Sequence, residues 1–107
     1  MKNKFDKINT SRLKTMLKND ALVEESLKVL MKNLVIDISK IKKHLQNKEY
    51  AKISELCHKM KVSIHFISLD NIENEVNQLG KKDNNLDEAK IIKYTQKVIQ
   101  EIDKVLI

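Results

Sequence analysis

The chain has no proline, no tryptophan and a single glycine, Gly80, in 107 residues. Tight β-turns draw on glycine and proline, so hairpin-built sheets lack the residues their turns would use. Long helices with few interruptions are the alternative. Aromatics are as sparse, two Phe and two Tyr, which leaves an aliphatic core. No run of about 18 apolar residues occurs, so no helix is expected to span a bilayer. The N-terminal MKNKFDKINTSR is basic, but no apolar segment follows it, and it does not read as a secretory signal. The lone Cys57 excludes an internal disulfide and falls in a helical apolar pattern. A reduced, cytoplasmic setting is the expectation.

The chain has an excess of basic residues, with a net charge of +6. Residues 1–18 hold Lys2, Lys4, Lys7, Arg12, Lys14 and Lys18 against Asp6 alone, so the rest is nearly balanced. Arg12 is the one arginine, and abundant Lys, Asn and Ile are what AT-rich coding produces. A basic lead segment is placed to steer the domain toward an acidic partner. With one arginine and no recognisable nucleic-acid-binding motif, no nucleic-acid partner is expected. A basic helical nucleic-acid binder stays open as an alternative.

Apolar spacing maps five helices. A short one runs from Thr10 or Ser11 to Lys18, with Leu13, Met16 and Leu17 as its contact face. Asn19-Asp20 interrupts, and Asp20 is the expected N-cap of the second helix, 21–46. There Val23, Leu27, Leu30, Leu34, Ile38, Ile41 and Leu45 recur at steps of three and four, a sustained helical stripe. The link 47–49 is short enough for an antiparallel hairpin. The third helix, 49–67, buries Ile53, Leu56, Cys57, Met60, Ile64 and Ile67. After a break at 68–70, Ile72, Val76 and Leu79 form a shorter face, and Gly80 is the expected C-cap. Residues 81–85 read as a polar loop. The last helix, from Leu86 or Asp87 to Leu106, is expected to bury Ala89, Ile92, Ile99, Ile102 and Leu106. There are no internal repeats. The expectation is one all-α domain spanning 1–107, an antiparallel four-helix bundle with a short additional N-terminal helix. Residues 1–9 are expected to be a flexible lead-in.

At about 100° per residue, His58 lies about 140° from the centre of the third helix's buried stripe. Lys61 lies about 80°, His65 about 120° and Ser54 about 100° from it, all on one flank. His58 is therefore expected at the surface. No His-x-x-x-His pair of the kind that binds zinc on one helix face is present, and no metal site is expected. His44 and His65 read as solvated surface, and Cys57 as an inert core thiol.

The stretch AKISELCHKMKVSIHFISLDNI resembles the central helix of histidine-containing phosphotransfer domains, whose signature is roughly A-H-x-L-K-G-S. His58 matches the phosphoryl-accepting histidine and Lys61 the lysine one turn on. Met60 fills the apolar slot between them, and Ser63 matches the small polar residue. Ile67, Leu69, Ile72, Val76 and Leu79 fall on apolar core positions, and NKEYAKISEL is similar to the family's acidic and aromatic lead-in. The specific likeness covers about 20 residues, and the helical layout agrees over essentially the whole chain. Val62 and Ser68 stand where glycine is common, and Gly80 where an acidic residue is typical.

The resemblance implies a phosphorelay carrier and not an enzyme with its own catalytic machinery. Neutral imidazole, abundant at pH 7, would take a phosphoryl group from a receiver-domain aspartate and pass it to another receiver. Lys61 would stabilise the phosphoryl charge. Ser54, Lys59, Val62 and His65 would form the rim on which the receiver docks. No cofactor is expected on this domain, with Mg²⁺ supplied by the partner's carboxylates. Expected partners are response-regulator receiver domains and a hybrid sensor histidine kinase, with no membrane partner and a monomeric state. A receiver-docking bundle that does not transfer phosphate stays open.

Overall fold

The structure is a computed structural model and describes residues 8–82 and 85–106. Among the described residues are five helices and no strand: α1 (Ser11–Leu17), α2 (Asp20–Gln46), α3 (Tyr50–Phe66), α4 (Asp70–Leu79) and α5 (Glu88–Leu106). Residues 1–7 of the expected lead-in lie outside the described residues. Ile8 is buried, and the Asn9 Oδ1 accepts the Ser11 N–H at 2.9 Å.

α2 is the long strut. Its 27 residues extend about 40 Å at 1.5 Å per residue, close to the 42 Å long axis of the molecule. It starts one residue earlier than expected, because Asn19 and not Asp20 is the cap: the Asn19 Oδ1 accepts the Leu22 N–H at 3.1 Å. At the start of α5 Asp87 does the same for Lys90 at 2.8 Å. Where the chain turns after α1, α2 and α3, Lys18, Lys48 and Ser68 take left-handed φ values of 54°, 56° and 56°. Glycine occupies that region most easily, yet the one glycine has an ordinary φ of −80°.

α2 packs on α3 and α5, α4 packs on α3 and α5, and α1 lies on α2. Burying the aliphatic faces of these helices in a common interior is the main stabilising term. Val23, Leu27, Leu34, Ile38 and Ile41 of α2 are buried as expected, with Leu30 and Leu45 half-buried at the edge. Ile53, Cys57, Met60 and Ile64 of α3, Ile67 after it, and Ile72, Val76 and Leu79 of α4 complete that side. The α5 face departs from expectation. Ile102 is buried as expected, but Ala89 is exposed, Ile92, Ile99 and Leu106 are half-buried, and Thr95 and Val98 are the other buried residues. The Thr95 hydroxyl donates to the Ile91 carbonyl at 2.6 Å, so a polar residue enters the core with its hydrogen bond made. On α1, Leu13 is buried and Leu17 half-buried, but Met16, rotated off their line, is 55% exposed.

Charged groups tie the helices together. The Arg12 guanidinium donates to the His65 carbonyl at 2.8 Å and to Asp70 at 2.9 and 3.4 Å, holding α1 to the α3–α4 corner. That arginine is therefore part of the scaffold and not simply steering charge. Across α4 and α5, Lys97 meets the buried Glu75 at 2.7 Å, and Asn71 donates to Glu101 at 2.6 Å. The Lys104 ammonium and the Asn71 amide hold the Glu101 carboxyl below its usual range.

Candidate functional site

Helix α3 is clamped through one side, with Ile53 and Cys57 at 0% and Met60 and Ile64 at 1% exposure. A helix so fixed must present its opposite side to solvent, and His58 is exposed mid-helix as its angular position requires. Among the described residues its ring holds no hydrogen bond or ion pair. Cys57 beside it points into the core, and burial pushes its thiol up to about 12, which keeps it protonated and unreactive.

His58 opens on a groove of about 970 Å³. Lys61 follows it on α3, Ser54, Glu55, Ala51 and Tyr50 precede it, Gly80, Lys81 and Lys82 come from the link that follows α4, and Ile91 comes from α5. Among the described residues that line the groove, three are lysines and one, Glu55, is acidic. The Ser54 hydroxyl donates to the Lys81 carbonyl at 3.4 Å. At the rim the Tyr50 hydroxyl donates to Glu88 Oε1 at 3.0 Å; burial and the adjacent carboxylate push the phenol up, so it stays protonated. An open, cationic groove around an accessible imidazole can hold a phosphoryl group and leave the attacking nitrogen reachable.

Of the expected site residues, His58, Lys61 and Ser54 share this groove and three do not. Lys59 turns toward α2, its Nζ 3.7 Å from the buried Asp37, and lines a second groove with Lys40, Lys43, His44, Lys52, Glu55 and Leu56. Val62 stands in solvent at 60% exposure. His65 keeps the expected flank, but its Nδ1 lies 3.2 Å from Glu73 Oε1 and its ring stands edge-on to Phe66 at 5.4 Å. His44, expected to be solvated, is half-buried at the α2–α3 corner with Nδ1 3.2 Å from Glu49 Oε1. Lys52 and His44 together bring the Glu49 carboxyl down to about 2.

Tyr50, Lys81, Lys82 and Ile91 were not among the expected site residues. Tyr50 lies on the third helix itself and was open to the same angular reading as His58. Lys81 and Lys82 belong to a link, for which no periodicity says where a side chain goes. The buried Asp37 was also missed; at one residue before Ile38, it flanks the apolar stripe on the side that meets α3. Among the described residues no group of three or more His, Cys, Asp or Glu side chains is placed to hold a metal ion, and no helix is long and apolar enough to cross a membrane. Comparison of the chain with protein-family models, with curated proteins and with solved structures finds no match.

Proposed function

We propose that this chain is a histidine-containing phosphotransfer domain: an antiparallel bundle of α2–α5 with α1 as an additional helix, carrying a phosphoryl group on His58. The observation that carries the reading is the exposed His58 imidazole, mid-α3, in an open groove that also holds Lys61. The domain is a cytoplasmic, monomeric carrier and co-substrate of receiver domains, fed through a hybrid sensor kinase. It is not an enzyme.

In the forward step a lone pair on a ring nitrogen of neutral His58 attacks the phosphorus of a receiver aspartyl phosphate in line. The P–N bond forms as the P–O bond to the aspartate breaks, and the carboxylate leaves with the bonding pair. The second ring nitrogen keeps its proton, so the ring carries positive charge until that proton passes to solvent. A second receiver carboxylate reverses the step. Such transfer depends on positioning and charge stabilisation. Lys61 supplies a point charge to the phosphoryl oxygens, and the receiver's carboxylates bring Mg²⁺. Lys59, Val62 and His65 lie outside the groove and belong to the surrounding docking surface.

The test is transfer from a receiver charged with acetyl phosphate. Label that survives base, is lost in acid and disappears in His58→Gln supports the carrier. Docking of the receiver with no label on His58 would replace it with the docking-only reading, which the exposed Val62 beside the site favours.

A further inference from the structure

Lys61 is one cation, whereas a phosphoryl group on nitrogen or oxygen brings between one and two negative charges at pH 7. The groove holds two more cations, Lys81 and Lys82, from outside α3. Their route into it depends on Gly80, which is buried, with its α-carbon against the main chain of α3. A Cβ there would meet the His58 nitrogen at 2.8 Å, the His58 Cα at 2.9 Å and the Cys57 carbonyl carbon at 3.1 Å. The C-terminus of α4 therefore ends directly on the residue that carries the imidazole.

A helix C-terminus presents partial negative charge, which by itself would repel an anion at His58. Lys81 and Lys82 follow at once and bring two lysine side chains to the groove. The Lys81 main chain is also placed along α3. The Lys81 carbonyl accepts from Ser54, one turn before His58, while Lys61 stands one turn after it.

We propose that Lys81 and Lys82 form a second cationic arm which, with Lys61, holds a phosphate dianion or the phosphoryl group on His58 from both ends. This deepens the carrier reading and rests on it for its physiological meaning, but anion binding at the groove can be measured without any transfer. Gly80 is the positioning residue of the arm, acting through the approach it permits.

The experiment is a titration of the full chain with inorganic phosphate, read at the His58 ring resonances by NMR and assigned with His58→Gln. Three variants are compared with the native chain: the pair Lys81→Ala and Lys82→Ala, the same pair changed to Arg, and the control pair Lys40→Ala and Lys43→Ala. The control removes equal charge from the second groove. The alanine arm variant should weaken phosphate binding about fivefold for each lysine lost, the worth of one charge a few ångströms away in water. The arginine variant should bind like the native chain. The control, which leaves every lysine of the His58 groove in place, should move it less than about twofold at 0.1 M salt, where screening weakens exposed charges that do not touch the anion. Equal weakening in arm and control variants would reduce the effect to net charge and overturn the proposal, as would unchanged binding in the arm variant. If His58 takes no label from a receiver while phosphate binding still depends on Lys81 and Lys82, the carrier reading falls and the arm stands as an anion site. If His58 is labelled and the arm variants bind phosphate normally, the reverse holds.

Discussion

Gly80 rests on the main chain of His58, with no room for a side chain between them. Its own φ of −80° and ψ of −4° are open to any residue, so space and not backbone conformation requires the glycine. Gly80→Ala should destabilise the fold by about 1–3 kcal/mol through overpacking, although alanine is the better helix former by about 1 kcal/mol. Urea denaturation measures the net. Unchanged stability would mean that α4 can withdraw from α3 without loss.

His58→Gln should remove phosphoryl acceptance and leave the melting temperature nearly unchanged, because an exposed side chain contributes little to the core. His44→Gln and His65→Gln should still accept. Leu34→Ala and Ile64→Ala, at 0% and 1% exposure, should each cost about 2–5 kcal/mol. Label retained in the His58 variant would move the site elsewhere. Lys61→Ala should slow transfer without ending it, since it forms no bond to phosphorus.

Val62, at 60% exposure, packs against little, so Val62→Gly should cost no more than about 1 kcal/mol through helix propensity alone. Its effect on transfer has two opposite outcomes. If valine narrows the approach to His58, a generic receiver transfers faster to the glycine variant. If the native receiver is shaped to meet valine, that partner loses affinity. Transfer rates from both receivers decide, and equal rates would make Val62 a neutral surface residue.

Ser68, where glycine is common in the family this chain resembles, holds a φ of 56°. A left-handed residue with a Cβ costs about 1–2 kcal/mol, partly offset because glycine loses more entropy on folding. Ser68→Gly should therefore raise stability by up to about 1 kcal/mol, read from thermal or urea unfolding. A loss would indicate that the serine side chain makes a compensating contact.

Glu49 ties α3 to the end of α2 through Lys52 at 3.0 Å and His44 at 3.2 Å. Its carboxyl titrates near 2 in the fold against an ordinary 4.5. A depressed folded value means that the unfolded chain binds the proton first. The contribution of Glu49 is whole above about pH 4.5 and drains away as pH falls toward 2. Glu49→Gln should flatten the loss of stability across that window relative to the native chain. Parallel acid curves for the two proteins would count against the assignment.

Helix existence and type were legible in the sequence because each helix carries its own periodic burial signal and no proline interrupts it. The α3 line Ile53, Cys57, Met60 and Ile64 reports which side is clamped, and the outward direction of His58 follows from the same angle. The order of stops was legible too, though Asn19 and not Asp20 makes the cap, since both residue types cap helices well and only the backbone chooses.

What stands across from a helix face is another matter, because an angle about one axis contains nothing about neighbours. His58 and His65 share a flank of α3, yet one opens on a groove and the other meets Glu73. Asp37 is buried because α3 closes over it with Lys59 alongside, and α5 buries Thr95 where the spacing favoured Ala89 and Ile92. Lys81 and Lys82 line the His58 groove next to Gly80, where the two main chains come together. Residues 22 apart in sequence meet there through the packing of α3 on α4, a relationship set by interhelical distance and therefore decided only by the tertiary structure.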